Sequence, residues 1–203
     1  MQFSDLQKDA LCEVFNISVS QAAAAMSEIV QQPIRMTVPK VDVCDISQAI
    51  SQLDRGYDIC GIAQRFQSSF SGQAILLFPE HRSLELVRLM VGLDTPVQQI
   101  TELEQDAMAE IGNIVLNACL ASLSNLFNQR FDLTIPQLVM GDSSQVLSEY
   151  EDEQVLILLQ ILFYLEDREL EGSIVFVVNL QSMLALQECI GTFIQGAQRS
   201  QNT

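Results

Sequence analysis

Apolar residues recur at helical spacing along two long stretches, about 4–31 and about 101–128. Each opens on a capping box, Ser4-x-x-Gln7 and Thr101-x-x-Glu104, in which side chains satisfy the first unpaired amides of a helix. Strand-like segments follow each helix. Two are short, at about 38–43 and about 135–140, and two are longer, at about 61–66 and about 155–165. Two more, at about 74–78 and about 173–178, are continuous apolar runs. The charged stretch 166–171 reads as the connection of a hairpin. A second helix closes each part, at about 80–92 and about 180–196. The order helix–strand–strand–strand–helix, met twice, predicts an α/β protein with a mainly antiparallel sheet and long helices packed on it.

The two parts also match residue by residue. A shift of 97 places Ser4 on Thr101, Leu6 on Leu103, Asp9 on Asp106, Glu13 on Glu110 and Asn16 on Asn113. It continues to Thr37-Val38-Pro39 over Thr134-Ile135-Pro136. A shift of 100 then aligns Gly72 with Gly172 and the run 74–78 with 174–178. The expected organisation is one domain, 1–203, made of two pseudo-twofold repeats, about 1–97 and about 98–203.

Composition narrows the chemistry. Of 203 residues 48% are hydrophobic and 18% charged, against about 25% charged in typical domains, which excludes a disordered tail. Ten basic residues face 26 acidic ones, a net charge of −16, and such a field repels nucleic acid and anionic lipid. The five cysteines, Cys12, Cys44, Cys60, Cys119 and Cys189, are scattered, with no C-x-x-C, and read as small buried hydrophobes. The N-terminus shows no signal-peptide pattern, and the run 155–165 is too short to span a bilayer, so no membrane insertion and a cytoplasmic location are expected. His81, the one histidine, reads as a surface turn residue, and no metal-binding motif is present. The acid clusters at 149–153 and 166–171 read as solvated loops.

Chemistry is concentrated on the long helices. At about 100° per residue, Asp9, Glu13, Asn16 and Ser20 form one polar stripe, and Asp106, Glu110, Asn113 and Asn117 form its counterpart. Any amphipathic helix has a polar face, but asparagine is a poor helix former that propensity alone does not place there twice. Each half carries Asp-x-x-x-Glu-x-x-Asn, then 22 intervening residues, then Pro, ending at Pro39 and Pro136. The prolines lack an amide hydrogen and are expected at strand entries.

With these paired motifs the sequence resembles the CheC/CheX/FliY family of response-regulator phosphatases over nearly its whole length. The resemblance implies hydrolysis of the aspartyl phosphate on a CheY-like receiver domain. Asn113 and Asn16 would orient the attacking water, and Glu110 and Glu13 would dock on the receiver's lysine. Asp106, Asp9 and Asn117 are expected to support them. No cofactor is expected in this chain; Mg2+ is expected in the receiver's own site. A receptor deamidase and a second copy of the chain are further partners that the resemblance admits. The competing reading is a non-catalytic adaptor that binds the receiver or the flagellar switch. The second motif has Gly112 beside Asn113, as the family often has, which would let a partner backbone approach. The first has Phe15 there, either shielding Asn16 or touching the partner, and Ser18-Val19-Ser20 departs from the family's small, Gly- and Asn-containing stretch.

Overall fold

The computed structural model describes residues 3–54, 56–68, 71–91, 102–148, 150, 155–165 and 168–201. The elements run α1 (Asp5–Val30), β1 (Ile34–Cys44), α2 (Ile46–Leu53), β2 (Ile59–Gln67), β3 (Ser71–Pro79) and α3 (Glu80–Val91). They continue α4 (Glu102–Phe127), β4 (Asp132–Leu133), β5 (Gln137–Gly141), α5 (Ser143–Leu147), β6 (Val155–Leu165), β7 (Arg168–Val178) and α6 (Leu180–Gln201). Among the described residues one sheet in the order β1-β6-β7-β3-β2-β4, with β5 also on β2, holds the seven strands, and each of their pairings is antiparallel.

The helix N-terminus at Ser4 forms as its sequence predicts: Gln7 N–H donates to Ser4 Oγ, and Ser4 N–H donates to Gln7 Oε1. The second box, Thr101 with Glu104, lies outside the described residues. Two short helices were not expected. α2 and α5 start at Asp45 and Asp142, whose carboxylates accept from Gln48 N–H and Gln145 N–H, both at 2.8 Å. Both are capping boxes, and they too stand 97 residues apart.

These short helices explain the continuous apolar runs. Along β3, Ala74, Leu76 and Phe78 turn to a layer formed by α1, α3, α4 and α6, while Ile75 and Leu77 turn to the other face with Ala49 of α2 and Leu147 of α5. β7 divides the same way, with Ile174, Phe176 and Val178 toward one layer and Val175 and Val177 toward the other. A strand covered on both faces loses its polar alternation. Gln105–Leu126 is long and apolar enough to cross a membrane by length and composition, and in the fold it is the body of α4. There Met108, Ile111, Val115 and Leu116 are buried in the core.

Other expectations need correction. Arg168 to Glu171 belong to β7, paired from Leu165↔Arg168 onward, so the hairpin connection shrinks to residues 166–167, which lie outside the described residues. Of the acidic cluster at 149–153, only Tyr150 is described. His81 is exposed in the first turn of α3, edge-on to Tyr57 with centroids 5.5 Å apart. Pro39 does not enter a strand. It sits inside β1, where the register with β6 shifts between Thr37 and Lys40. Ile34, Met36 and Val38 face the long helices before the shift and Val41 after it, so the bulge moves inward-facing positions from even to odd. A residue without N–H is tolerated at such a bulge on an edge strand. Pro136 does precede its strand, β5.

Candidate functional site

Both polar stripes lie on the outer side of the long helices. Asp9, Glu13 and Ser20 are exposed on α1, Asp106 and Glu110 are exposed on α4, and Asn16, Asn113 and Asn117 are half-buried. Opposite them, Leu11, Phe15, Val19, Ile111 and Val115 reach the core. The structure therefore groups Asp, Glu and Asn along each helix as the spacing predicts.

The two asparagines are held differently. Asn16 Nδ2 donates to the Cys12 carbonyl at 2.9 Å and to the Val38 carbonyl at 3.1 Å, and Val38 N–H donates to Asn16 Oδ1 at 2.8 Å. One amide thus satisfies both backbone groups of a residue on the outer edge of β1. Ser27 does similar work eleven residues along the helix, accepting from Ile34 N–H at 2.8 Å. Cys12 adds a contact between them: burial and then the Asp9 charge push its thiol pKa up, and a hydrogen bond with the Val41 backbone opposes them. Helix α1 is laced to the edge strand by polar side chains, and Asn16 is one of the laces.

The residue 22 positions after Asn113 is Ile135, and it stands 85% exposed. That segment is tied to β2 instead. Thr134 N–H donates to the Arg65 carbonyl, Arg65 N–H donates to Thr134 Oγ1, and Gln64 Nε2 donates to the Thr134 carbonyl, each at 3.0 Å. Asn113 bonds within its own helix, its Oδ1 accepting from Asn117 Nδ2 at 2.7 Å. Gln64 and Thr134 hold the segment after α4 on β2, a contact that the sequence did not reveal. Gln64 is a buried polar residue in a strand facing the helices, and nothing local marks what it binds.

The neighbours of the two asparagines also differ from expectation. Phe15 neither shields Asn16 nor meets a partner: it is fully buried and stacks on Phe176 with centroids 5.3 Å apart. Gly112 is buried as well. A Cβ there would come within 2.5 Å of Ile62, so the glycine serves close packing of α4 on β2 rather than a partner's approach. Among the described residues no group of three or more His, Cys, Asp or Glu is arranged to hold a metal ion.

Comparison with known proteins adds a context to this geometry. The family described as "Chemotaxis phosphatase CheX" matches residues 59–160, half of the chain, which includes the second motif. The family described as "CheC-like family" matches residues 6–42, which include the first. The chain is 25% identical to the flagellar motor switch phosphatase FliY of Bacillus subtilis over 174 residues, 84% of this chain and 45% of FliY. It is also 25% identical to the CheY-P phosphatase CheC of the same organism over 150 residues, 70% of each. The chain thus spans less than half the length of that FliY. The crystal structure of Thermotoga maritima FliY shares the fold at a TM-score of 0.76 and 17% identity, covering 95% of this chain and 99% of that one. The family match over half of the chain, together with the shared antiparallel fold, places this protein in the CheC/CheX/FliY family of chemotaxis phosphatases.

Proposed function

We propose that the chain hydrolyses the aspartyl phosphate of a CheY-like receiver domain, with Glu110 and Asn113 as its principal working pair. The observation that carries this reading is the placement of an acid and an amide one turn apart on an outer helix face, with the amide not tied to β5. An acyl phosphate is already activated, so its hydrolysis needs mainly positioning and charge stabilisation. A neutral amide meets water and a phosphoryl group without repulsion, which suits Asn113 to orient the water. A carboxylate is better spent on a cation, which suits Glu110 to the receiver's lysine. Asp106 and Asp9 support these contacts one turn earlier. Mg2+ would sit in the receiver's own acidic pocket, and this chain need bind no metal.

Glu13 and Asn16 form the second, weaker site in this reading. Glu13 is exposed and free to dock a lysine, but Asn16 must leave Val38 before its amide meets a phosphoryl group. Leaving buried backbone groups unpaired costs about 1–3 kcal/mol, enough to slow that site roughly tenfold to a hundredfold. The same bracketing favours the adaptor as a second reading, since a site built around an occupied amide binds without turning over.

Decay of phosphorylated receiver in the presence of the chain decides between them. Asn113→Ala should remove most of the acceleration, Asn16→Ala less, and the double variant all of it. Glu110→Lys should weaken receiver binding more than the rate at saturation. Tight binding with decay unchanged by the wild-type chain would establish the adaptor and end the catalytic assignment. The reading also places the chain in the cytoplasm with its receiver, and as two copies of one unit within a single domain. A receptor deamidase or a second copy of the chain is a further partner within it, measurable by light scattering.

A further inference from the structure

The geometry points to Asn117 as a positioning residue that sets which atoms Asn113 presents. This rests on the phosphatase reading above and concerns the same site. Asn117 Nδ2 donates to Asn113 Oδ1 at 2.7 Å, one helical turn away. An amide is planar, so holding Oδ1 toward Asn117 turns Nδ2 of Asn113 away from it. The pair therefore leaves the two amide protons and one Oδ1 lone pair of Asn113 for a water and a phosphoryl oxygen.

Two observations argue that this contact is not incidental. First, Asn117 Oδ1 is buried with no hydrogen-bond partner among the described residues. A buried orphan acceptor on a poor helix former opposes stability twice, and such groups persist where function holds them. Second, the position one turn beyond Asn16 is Ser20, and its hydroxyl donates to the Asn16 backbone carbonyl at 2.7 Å, not to the side chain. Where the strand orients the asparagine, the following turn carries no amide. Where the strand is tied elsewhere, Asn117 does the orienting.

The test uses the whole chain with Asn117→Leu, Asn117→Ser and Asn117→Gln, assayed for phospho-receiver decay, receiver affinity and urea stability. Leucine matches asparagine in shape, lacks the donor and removes the orphan acceptor. It should leave the chain at least as stable and the receiver affinity unchanged, while turnover falls on the order of tenfold to a hundredfold. Serine should behave like leucine, because its hydroxyl returns to the backbone as that of Ser20 does. Glutamine keeps a donor amide at the same helical offset and should restore turnover to within a few-fold of wild type. Side-chain amide NMR gives a readout independent of catalysis. The Asn113 NH2 signals, identified by their loss in Asn113→Ala, should shift in Asn117→Leu and return toward wild type in Asn117→Gln.

Unchanged Asn113 signals, or unchanged turnover in Asn117→Leu while Asn113→Ala abolishes it, would overturn the proposal. So would a lower urea midpoint in Asn117→Leu that accounts for its lost activity, since Asn117 would then be structural. If Asn113→Ala itself leaves decay untouched, the phosphatase reading falls and the positioning role falls with it. The NMR shift would then report a contact without a catalytic consequence.

Discussion

Asn16 and Asn113 occupy equivalent motif positions and do different physical work. Replacing Asn16 by alanine strands the N–H and C=O of Val38, a residue 2% exposed. The expected loss is about 1–3 kcal/mol in urea unfolding, whereas Asn113→Ala should change stability by less than about 1 kcal/mol. Equal losses in the two variants would contradict the bracketing role of Asn16. The cysteines give a pH signature at the same scale. Burial pushes the Cys119 thiol up to about 12, and burial with the nearby Asp42 and Asp45 charges pushes Cys44 up to about 11, both from an ordinary 9.0. The unfolded chain releases these protons near pH 9 while the folded chain keeps them. The stability they contribute is therefore complete below pH 9 and is lost as pH rises toward 11 and 12. The slope is about 1.4 kcal/mol per pH unit for each thiol. Urea midpoints between pH 8 and pH 10.5 should fall accordingly, and less steeply in Cys119→Ala.

Among the elements, α4 is set by what its glycine permits. Gly112→Ala adds about 1 kcal/mol of helix propensity, but its Cβ meets Ile62 Cβ and Cγ2 at 2.5 Å. Overpacking against a strand residue costs about 1–3 kcal/mol, so the variant should be destabilised overall. In an Ile62→Gly background, which removes all three atoms met, the same change should lose that penalty, and a double-mutant cycle in urea measures the coupling. The long helices were legible because their apolar spacing and polar stripes are local signals, and β6 was legible as an apolar run interrupted by Gln160. α2 and α5 were equally marked by Asp45-x-x-Gln48 and Asp142-x-x-Gln145, but they are too short for periodicity to show. The start of β7 was missed because Glu169 and Glu171 are charged residues within the strand. Gln160 Nε2 donates to Glu171 Oε1 at 2.8 Å across the ladder, a pairing that spacing alone does not reveal.

In the whole molecule the sheet interleaves its two sequence halves. β1 pairs with β6, and β4 and β5 pair with β2, so the strands that open each half lie on a strand of the other. At the centre β3 lies on β7, with Ile75 opposite Val175, residues related by the shift of 100 seen in the sequence. If the halves are copies of one unit, neither should fold by itself, because each would lose the partner of its edge strand and half of its core. A fragment of residues 1–97 should be unfolded or aggregated by circular dichroism and gel filtration. A cooperative unfolding transition in that fragment would show that the interleaving is dispensable.

The sequence by itself determined the long helices, the apolar strands and the motif: amphipathic spacing, capping boxes and a doubled acid–amide pattern all act within a few helical turns. Family likeness could be read from the same residues, because they are contiguous along each helix. The difference between the two motifs was decided only in three dimensions. Asn16 is defined by Val38, 22 residues away on an edge strand, and Asn113 by a segment that Gln64 and Arg65 hold on the other half of the chain. Hydrogen bonds between distant segments leave no periodic trace, so two identical motifs can be read from the chain while their unequal bonding cannot.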